Sequence, residues 1–234
     1  MPSTNGIIPK NRLLTALPAE ELEHFFSELQ PVSLSLRQVL YEAGARFEHV
    51  YFIEEGVASI LTEMADGSTI EVGMIGIEGI VGVPALLGGE SSAQQVIVQV
   101  PGNALRMTAA LCKAAFDQSH QVRRVMLRFA EAILNLSAQT AACNRLHSIE
   151  QRCARWLLMA IDRTQTDNIP LTHEFLASML GVRRAGVTVT AGELQRSGLI
   201  RYHHGQLTIV DRGGLEAAAC ECYRIDRERL NRLL

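Results

Sequence analysis

The chain has 234 residues, of which 47% are hydrophobic, so it is long enough to form two modest domains with their own cores. Its formal net charge of −3 argues against uniform attraction to nucleic acid or to an acidic membrane surface. No apolar run approaches the about 20 residues that span a bilayer, and the N-terminus lacks a signal-peptide core. These features predict a cytoplasmic protein with no membrane partner.

The first half of the chain has the pattern of a β-rich domain. The segment from Pro18 to Leu29 predicts a short amphipathic helix. Brief apolar runs separated by glycines and an Asp66-Gly67 turn follow it, which predicts a small β-barrel or jelly roll. The predicted strands are Val39–Tyr41, His49–Ile53, Val57–Met64, Ser68–Ile75, Gln95–Val100 and Ala104–Met107.

From about His120 the apolar period changes from two to three and a half residues. Spacings of four and three alternate along this segment, which is typical of a coiled-coil seam. The seam predicts a dimer interface formed by Val122, Met126, Phe129, Ile133, Leu136, Thr140 and Cys143, and it continues to His147. A long helix packed only on its own domain would show the same stripe, so that alternative stays open.

The stretch from Leu171 to Ile200 has the spacing of a helix-turn-helix. Thr172 is the predicted N-cap of the first helix, and Gly181 supplies the left-handed turn. Val187, Ala191 and Leu194 would face inward from the second helix. The β-branched run from Val187 to Thr190 favours a strand when considered alone. After Gly198, the run LIRYHHGQLTIV predicts two short strands around His204-Gly205, a β-wing.

This arrangement predicts contact with double-stranded DNA. The residues expected to meet base edges from the second helix are Arg184, Ala185, Thr188 and Val189. Arg184 is the best candidate for direct readout, because a guanidinium can form two hydrogen bonds to guanine. The residues expected at the phosphate backbone are Thr172, His173, Arg183 and, from the wing, His204. A winged helix used only for protein contacts is the alternative.

The distribution of charge supports the DNA interpretation. Residues 1 to 122 carry six basic and fourteen acidic side chains, a net charge of −8. Residues 123 to 234 carry sixteen arginines and eleven acidic side chains, a net charge of +5. Attraction to phosphate depends on local charge, and the predicted helix-turn-helix lies in the basic half.

The cysteines and the catalytic motifs give negative expectations. The five cysteines are odd in number and lack a convincing disulfide spacing, so reduced thiols are predicted; they are Cys112, Cys143, Cys153, Cys220 and Cys222. No metal and no cofactor are predicted. Cys220 and Cys222 are expected on one C-terminal helix, facing different directions. The chain has no P-loop, G-x-S-x-G elbow or H-E-x-x-H pair, so no enzymatic activity is predicted.

The order of a β domain, a long helix and a winged helix-turn-helix resembles the CRP/FNR superfamily of bacterial transcription regulators. The resemblance rests on Gly44, Tyr51-Phe52-Ile53, Gly56-Val57, Asp66-Gly67, Gly79, Gly82 and the segments LASMLGVRRAGVTV and LQRSGLI. It implies an α+β fold with a sensor β-barrel in residues 1–119, a dimerisation helix and hinge in 120–148, and the DNA-binding domain in 149–234. It also implies effector sensing, promoter binding as a homodimer, and RNA polymerase as a further partner.

The expected effector pocket departs from that of the cyclic-AMP-binding members. Val83 stands where they have a glutamate, and Gln94 or a neighbour stands where they have an arginine. Ser137 matches one hydroxyl of their long helix, and Ala138 replaces the other. No Lys or Arg lies between Phe47 and Leu105, so a buried cyclic phosphate would lack a countercharge. The pocket is expected to involve Gly82, Val83, Ser92, Gln94 and Ser137.

These observations predict a homodimeric, sequence-specific DNA-binding regulator that does not respond to cyclic AMP. The family's usual Arg-Glu-Arg reading set survives only at Arg184, with Ala185 and Val189 at the other two positions, so a different DNA site is expected. One alternative is a sensor of a cyclic nucleotide or another small ligand through a non-standard pocket. Another is an effector-free regulator controlled by its own abundance.

Overall fold

The computed structural model describes residues 9–164 and 166–233, and its first half is a β domain edged by helices. The helices there are α1 (Arg12–Thr15), α2 (Ala19–Phe26), α3 (Val83–Leu86) and α4 (Ala109–Gln118). The strands are β1 (Gln30–Leu34), β2 (Val39–Tyr41), β3 (His49–Glu63), β4 (Thr69–Ile75), β5 (Ile80–Val81) and β6 (Gln95–Thr108). The predicted first helix is confirmed as α2, which ends three residues earlier than expected.

Two long strands organise this domain. Four of the predicted strands join in pairs, because β3 and β6 each continue through the segment that the glycines were expected to interrupt. The β3–β6 register shifts between Ile53 and Val57, so the interruptions are bulges rather than chain reversals. Gly56 lies in this region with φ +89°, and a Cβ there would overlap the backbone oxygen of Val100.

The sheet is open, which corrects the expectation of a closed barrel. Its antiparallel order is β1-β6-β3-β4, with β2 added to β6 and β5 added to β3. Within the described residues, the end strands β1 and β4 are not hydrogen-bonded to each other. Helical residues such as Leu13, Val122 and Phe129 pack into the same core as the strands. Helices therefore cover apolar surface that strand closure would otherwise bury, and the fold class is α+β.

A single helix of 27 residues, α5 (His120–Leu146), follows the β domain as predicted. Its predicted seam faces the chain's own cores: Val122, Met126, Phe129, Leu136 and Cys143 are buried within one chain. Ile133 and Thr140 are half-buried. The alternative interpretation, a helix packed on its own domain, accounts for this pattern. Five of the seven predicted seam residues therefore pack within the chain, and the dimer contact stays a prediction.

A second apolar series runs along the solvent-facing side of α5. Leu127 is 43% exposed and Leu134 is 69% exposed. Exposed positions continue this line at alternating spacings of four and three residues, and together they are called the outer stripe: Leu127, Glu131, Leu134, Ala138, Ala141 and Arg145. The outer stripe repeats the coiled-coil period on a face that no other part of the described chain covers.

The C-terminal domain consists of helices around a three-stranded sheet. Its helices are α6 (Ile149–Thr164), α7 (His173–Leu180), α8 (Arg184–Arg196), α9 (Arg212–Ala218) and α10 (Cys222–Leu233). Its strands are β7 (Asn168–Pro170), β8 (Ile200–His203) and β9 (Gln206–Ile209), in the order β7-β9-β8. The placement of Cys220 and Cys222 on one helix was wrong, because Cys220 lies in the bend before α10. No helix among the described residues combines the length and apolar character needed to cross a bilayer.

The two domains are in direct contact through polar side chains. Trp156 Nε1 on α6 donates to Glu71 Oε1 on β4 at 3.1 Å. Arg163 Nε, also on α6, pairs with Glu78 Oε1 at 2.7 Å, and both side chains are buried. Removing one partner of a buried ion pair leaves the other charge unpaired, which is strongly destabilising. This pair therefore favours the observed contact between the two domains.

Candidate nucleic-acid interface and effector cavity

The helix-turn-helix has the local geometry that its sequence predicts. Thr172 Oγ1 accepts a hydrogen bond from the backbone amide of Phe175 at 3.1 Å and so caps α7. Gly181 has φ +61° and ends α7 in the left-handed conformation. The second helix, α8, then begins at Arg184. The turn therefore directs the start of α8 toward solvent.

The inward and outward faces of α8 follow the prediction. Val187, Ala191 and Leu194 are buried against the domain core. The side chains left exposed at the start of α8 form what is called the recognition edge: Arg183, Arg184, Ala185, Thr188 and Val189. The β-branched run is helical because burial of Val187 and Thr190 outweighs local propensity.

Two of the predicted DNA contacts also hold the domain together. Thr188 Oγ1 donates to the Arg184 carbonyl at 3.1 Å and lies 3.1 Å from His173 Nδ1. The His173 ring stacks on Tyr202 of the wing, with 4.5 Å between ring centroids. Burial, and then the charge of Arg184, lower the pKa of His173, which favours its neutral form. His173 therefore bridges α7, α8 and the wing, and its ring has little positive charge to offer a phosphate.

The wing has the predicted hairpin turn. His203 pairs with Gln206 across β8 and β9, and His204 and Gly205 form the two-residue turn with φ of 47° and 75°. His204 is exposed at the tip. Arg201, also exposed on β8, is a further cation on the wing that the prediction missed. Side chains of a strand alternate between its two faces, so Arg201 next to the buried Ile200 could have been predicted to face solvent.

The five residues expected at the effector pocket come together at one cavity of about 180 Å³. Gly82 and Val83 lie before and at the start of α3, Ser92 and Gln94 lie in the segment before β6, and Ser137 lies on α5. The prediction missed several other lining residues, which include Tyr41, Phe47, Ile60, Val72, Ile133 and Leu134. Aromatic and aliphatic residues scattered over three strands, a loop and a helix give no local signal of a shared cavity.

The cavity has no positive side chain among its lining residues. Its polar groups are also partly committed. Ser92 Oγ donates to the Gln94 carbonyl at 2.6 Å, and the Tyr41 hydroxyl donates to the His49 carbonyl. The backbone amide of Gly89 donates to the Pro84 carbonyl at 2.8 Å and is not free to cradle an anion. The cavity is therefore suited to a small, largely apolar and uncharged molecule.

Comparison with protein families matches both domains. A cyclic nucleotide-binding domain matches residues 31–119, and a Crp-like helix-turn-helix domain matches residues 151–218. The chain belongs to the CRP/FNR superfamily of transcriptional regulators. The CRP/FNR assignment covers the β domain with its cavity and the winged helix with its recognition edge. A sequence search of curated proteins gives no match.

Solved structures of CRP/FNR regulators share this fold along most of the chain. FixK2 from Bradyrhizobium japonicum is 16% identical, with 82% of this chain and 98% of that chain covered and a TM-score of 0.70. The c-di-GMP-responsive regulator CLP from Xanthomonas campestris is also 16% identical, with 82% and 99% covered and a TM-score of 0.67. A CRP-family transcriptional regulator from Thermus thermophilus is 18% identical, with 80% and 96% covered and a TM-score of 0.67.

Proposed function

We propose that this CRP/FNR regulator binds a specific DNA sequence as a homodimer and does not respond to cyclic AMP. In this proposal residues 1–119 are the sensor, residues 120–148 the dimerisation helix and hinge, and residues 149–234 the DNA-binding domain. The observation that carries it is the exposed recognition edge, which presents Arg184, Ala185 and Val189 at the start of α8 while the opposite face packs inward. RNA polymerase is a further proposed partner.

The direct test is selection of bound sequences from a random DNA pool by the purified protein. We expect an enriched site with two related halves about one DNA turn apart, since a two-fold dimer presents two recognition helices. Repeating the selection with a small-molecule cell extract shows whether binding requires an effector. Recovery of no enriched sequence under either condition would contradict the proposal.

The dimer is proposed to form through the outer stripe rather than through the buried seam. Leu127 and Leu134 are exposed, and their heptad spacing would let a partner helix cover both. We expect Leu134→Glu to raise the dissociation constant of the dimer at least about tenfold, because it replaces buried apolar area with a charge. Sedimentation at several protein concentrations measures this change.

Leu146→Glu is the matched control for that experiment. Leu146 is the last residue of α5 and is 74% exposed, but it lies outside the outer stripe. The substitution Leu146→Glu should leave the dissociation constant of the dimer unchanged. A wild-type chain that stays monomeric, or equal effects of the two substitutions, would show that the outer stripe is not the interface.

The absence of a response to cyclic AMP is proposed from the charge of the cavity. A cyclic phosphate there would meet no cation among the residues that line the cavity. The charged side chains of the sequence between Phe47 and Leu105 are all acidic: Glu48, Glu54, Glu55, Glu63, Asp66, Glu71, Glu78 and Glu90. We expect calorimetry to detect no binding at micromolar nucleotide. An affinity of micromolar or tighter would overturn this part of the proposal.

A second candidate function is ligand-dependent regulation through a non-standard pocket. The cavity itself favours it, because a regulator without an effector has no need of about 180 Å³ of unfilled apolar space beside α5. Leu134 and Ser137 of α5 line the cavity, so an apolar ligand there would touch the proposed dimerisation helix directly. Dependence of operator binding on the small-molecule extract would distinguish this candidate from an effector-free regulator.

A further inference from the structure

Three cysteines and a histidine from distant parts of the chain meet where α5 ends. Cys143 lies in the last turn of α5, and His147 follows the helix. Cys220 lies between α9 and α10, and Cys222 begins α10. The four potential ligand atoms lie within 4.8 Å of one another. The three thiols are buried as a separate group, outside the two aliphatic cores, and the four residues are called the thiol cluster.

Two distances within the thiol cluster match those between neighbouring ligands of a tetrahedral metal ion. Zn–S bonds of about 2.3 Å and Zn–N bonds of about 2.0–2.1 Å place neighbouring tetrahedral ligands about 3.5–3.8 Å apart. The Sγ atoms of Cys143 and Cys220 are 3.5 Å apart, and Cys222 Sγ is 3.7 Å from His147 Nδ1. A disulfide between Cys143 and Cys220 would need about 2.05 Å and would leave Cys222 and His147 without a role.

Neighbouring side chains orient the ligands. Glu221 Oε2 lies 3.2 Å from His147 Nε2, so the carboxylate attracts a proton on that nitrogen. A proton on Nε2 leaves Nδ1, which lies 3.7 Å from Cys222 Sγ, able to bind a metal ion, in the carboxylate–histidine–metal order found at protein metal sites. Gln139 Nε2 donates to Cys222 Sγ at 3.1 Å and so holds this side chain in place. Glu221 and Gln139 thus contact two of the four potential ligands from outside the cluster.

We propose that Cys143, His147, Cys220 and Cys222 bind one Zn²⁺ ion as a closed Cys₃His site. The thiols release their protons on binding, and three thiolates with Zn²⁺ carry one net negative charge. Arg152 and Arg155 of α6 interact electrostatically with Cys143 and offset that charge. The four ligand atoms lie within 4.8 Å of one another, whereas an iron–sulfur cluster spreads its ligands over several irons.

The site fastens the start of α10 to the segment that joins α5 to α6. This segment connects the helix of the sensor to the DNA-binding domain, and it contains His147 itself. Bound zinc therefore links the hinge between α5 and α6 to the start of α10. Because the ligands come from two distant segments, binding also stabilises the folded state.

The test is a metal analysis of the full chain, purified without chelator. We expect one zinc per chain, and after its removal a rebinding of Co²⁺ that gives the charge-transfer and d–d absorption of a tetrahedral thiolate site. Cys143→Ser and Cys222→Ser should abolish both signals. Glu221→Gln, which keeps all four ligands, should weaken zinc binding about 10–100-fold in competition with a chromophoric chelator.

Cys153→Ala is the matched control, because Cys153 is equally buried but lies in another core. It should keep full zinc content and the same rise of Tm when zinc is added. The proposal is overturned if the wild-type apoprotein gives no thiolate–cobalt absorption. It is also overturned if Cys143→Ser and Cys222→Ser bind as the wild type does, or if mass spectrometry of protein kept from air finds a Cys143–Cys220 disulfide in place of metal.

Discussion

An Arg184→Ala variant should bind its selected DNA site more weakly by about 1–3 kcal/mol and should lose preference at one base position. Arg184 is exposed at the first position of α8, and its guanidinium has no acidic partner among the described salt bridges. It is thus free to form two hydrogen bonds with a guanine in the major groove. Competition binding on the selected site and on its single-base variants measures both effects.

Arg183→Ala is the matched control, because it removes an equal charge one residue earlier. Arg183 is the N-cap residue of α8, a position suited to phosphate. Its loss should weaken binding to all sequences alike and reduce the salt dependence by about one counterion. If Arg184→Ala instead weakens selected and random DNA equally, Arg184 is a phosphate contact and the reading of bases lies elsewhere.

The stability of the protein should fall as pH rises through the range in which Glu71 ionises. Glu71 is fully buried between the domains, where Ser59 Oγ lies 2.6 Å from Oε2 and Trp156 Nε1 lies 3.1 Å from Oε1. Burial raises the pKa of Glu71 to about 7, against the opposing effects of Ser59, Arg163, Arg155 and Trp156. The Ser59 hydroxyl also faces Gln99 Oε1, so its single proton can be donated to only one of the two acceptors.

The direction of this pH dependence follows from the number of protons bound by the folded and unfolded states. The pKa is 4.5 in the unfolded chain and about 7 in the folded protein, so between these values the folded state holds more protons. The contribution of neutral Glu71 is fully present below pH 4.5, declines as pH rises, and is lost above about pH 7. At about 1.4 kcal/mol per pH unit, this shift amounts to roughly 3 kcal/mol in the free energy of unfolding.

Glu71→Gln should remove this dependence, because the amide keeps the shape of the protonated carboxyl and cannot ionise. Urea unfolding at about pH 5 and about pH 8 gives the two free energies for wild type and variant, and titration of every other group cancels in their difference. Ser59→Ala, which keeps the carboxyl but removes a hydrogen bond that lowers its pKa, should move the decline to higher pH. Parallel pH profiles for wild type and Glu71→Gln would show that Glu71 is not protonated at the interface.

Local signals in the sequence were sufficient for the helix-turn-helix and the wing. Thr172, Gly181 and the His204-Gly205 pair each act on the backbone next to them, and the structure has the cap, the turn and the hairpin where they were predicted. Strand β1 was missed because Pro31 interrupts a weak pattern, although it pairs along its whole length with β6. Strand β5 was missed because it has only two residues.

Features that depend on partners distant in the sequence were harder to predict. The period of α5 correctly identified five of its buried residues, but periodicity does not say whether a helix is buried by its own chain or by a second copy. Val122 and Phe129 pack on the β domain, and the outer stripe became visible only when the other faces were covered. The thiol cluster was missed because the bend between α9 and α10 brings Cys220 and Cys222 together without a glycine or proline to signal it.

Gly181 has a second neighbour besides the turn that it forms. A Cβ at this position would lie 2.5 Å from Ile70 Cδ1 on β4. The backbone of the turn between α7 and α8 therefore lies directly against a side chain of the edge strand of the β domain. Tightly packed contacts of this kind transmit displacement instead of absorbing it. A displacement of β4 would therefore act directly on the turn that precedes α8.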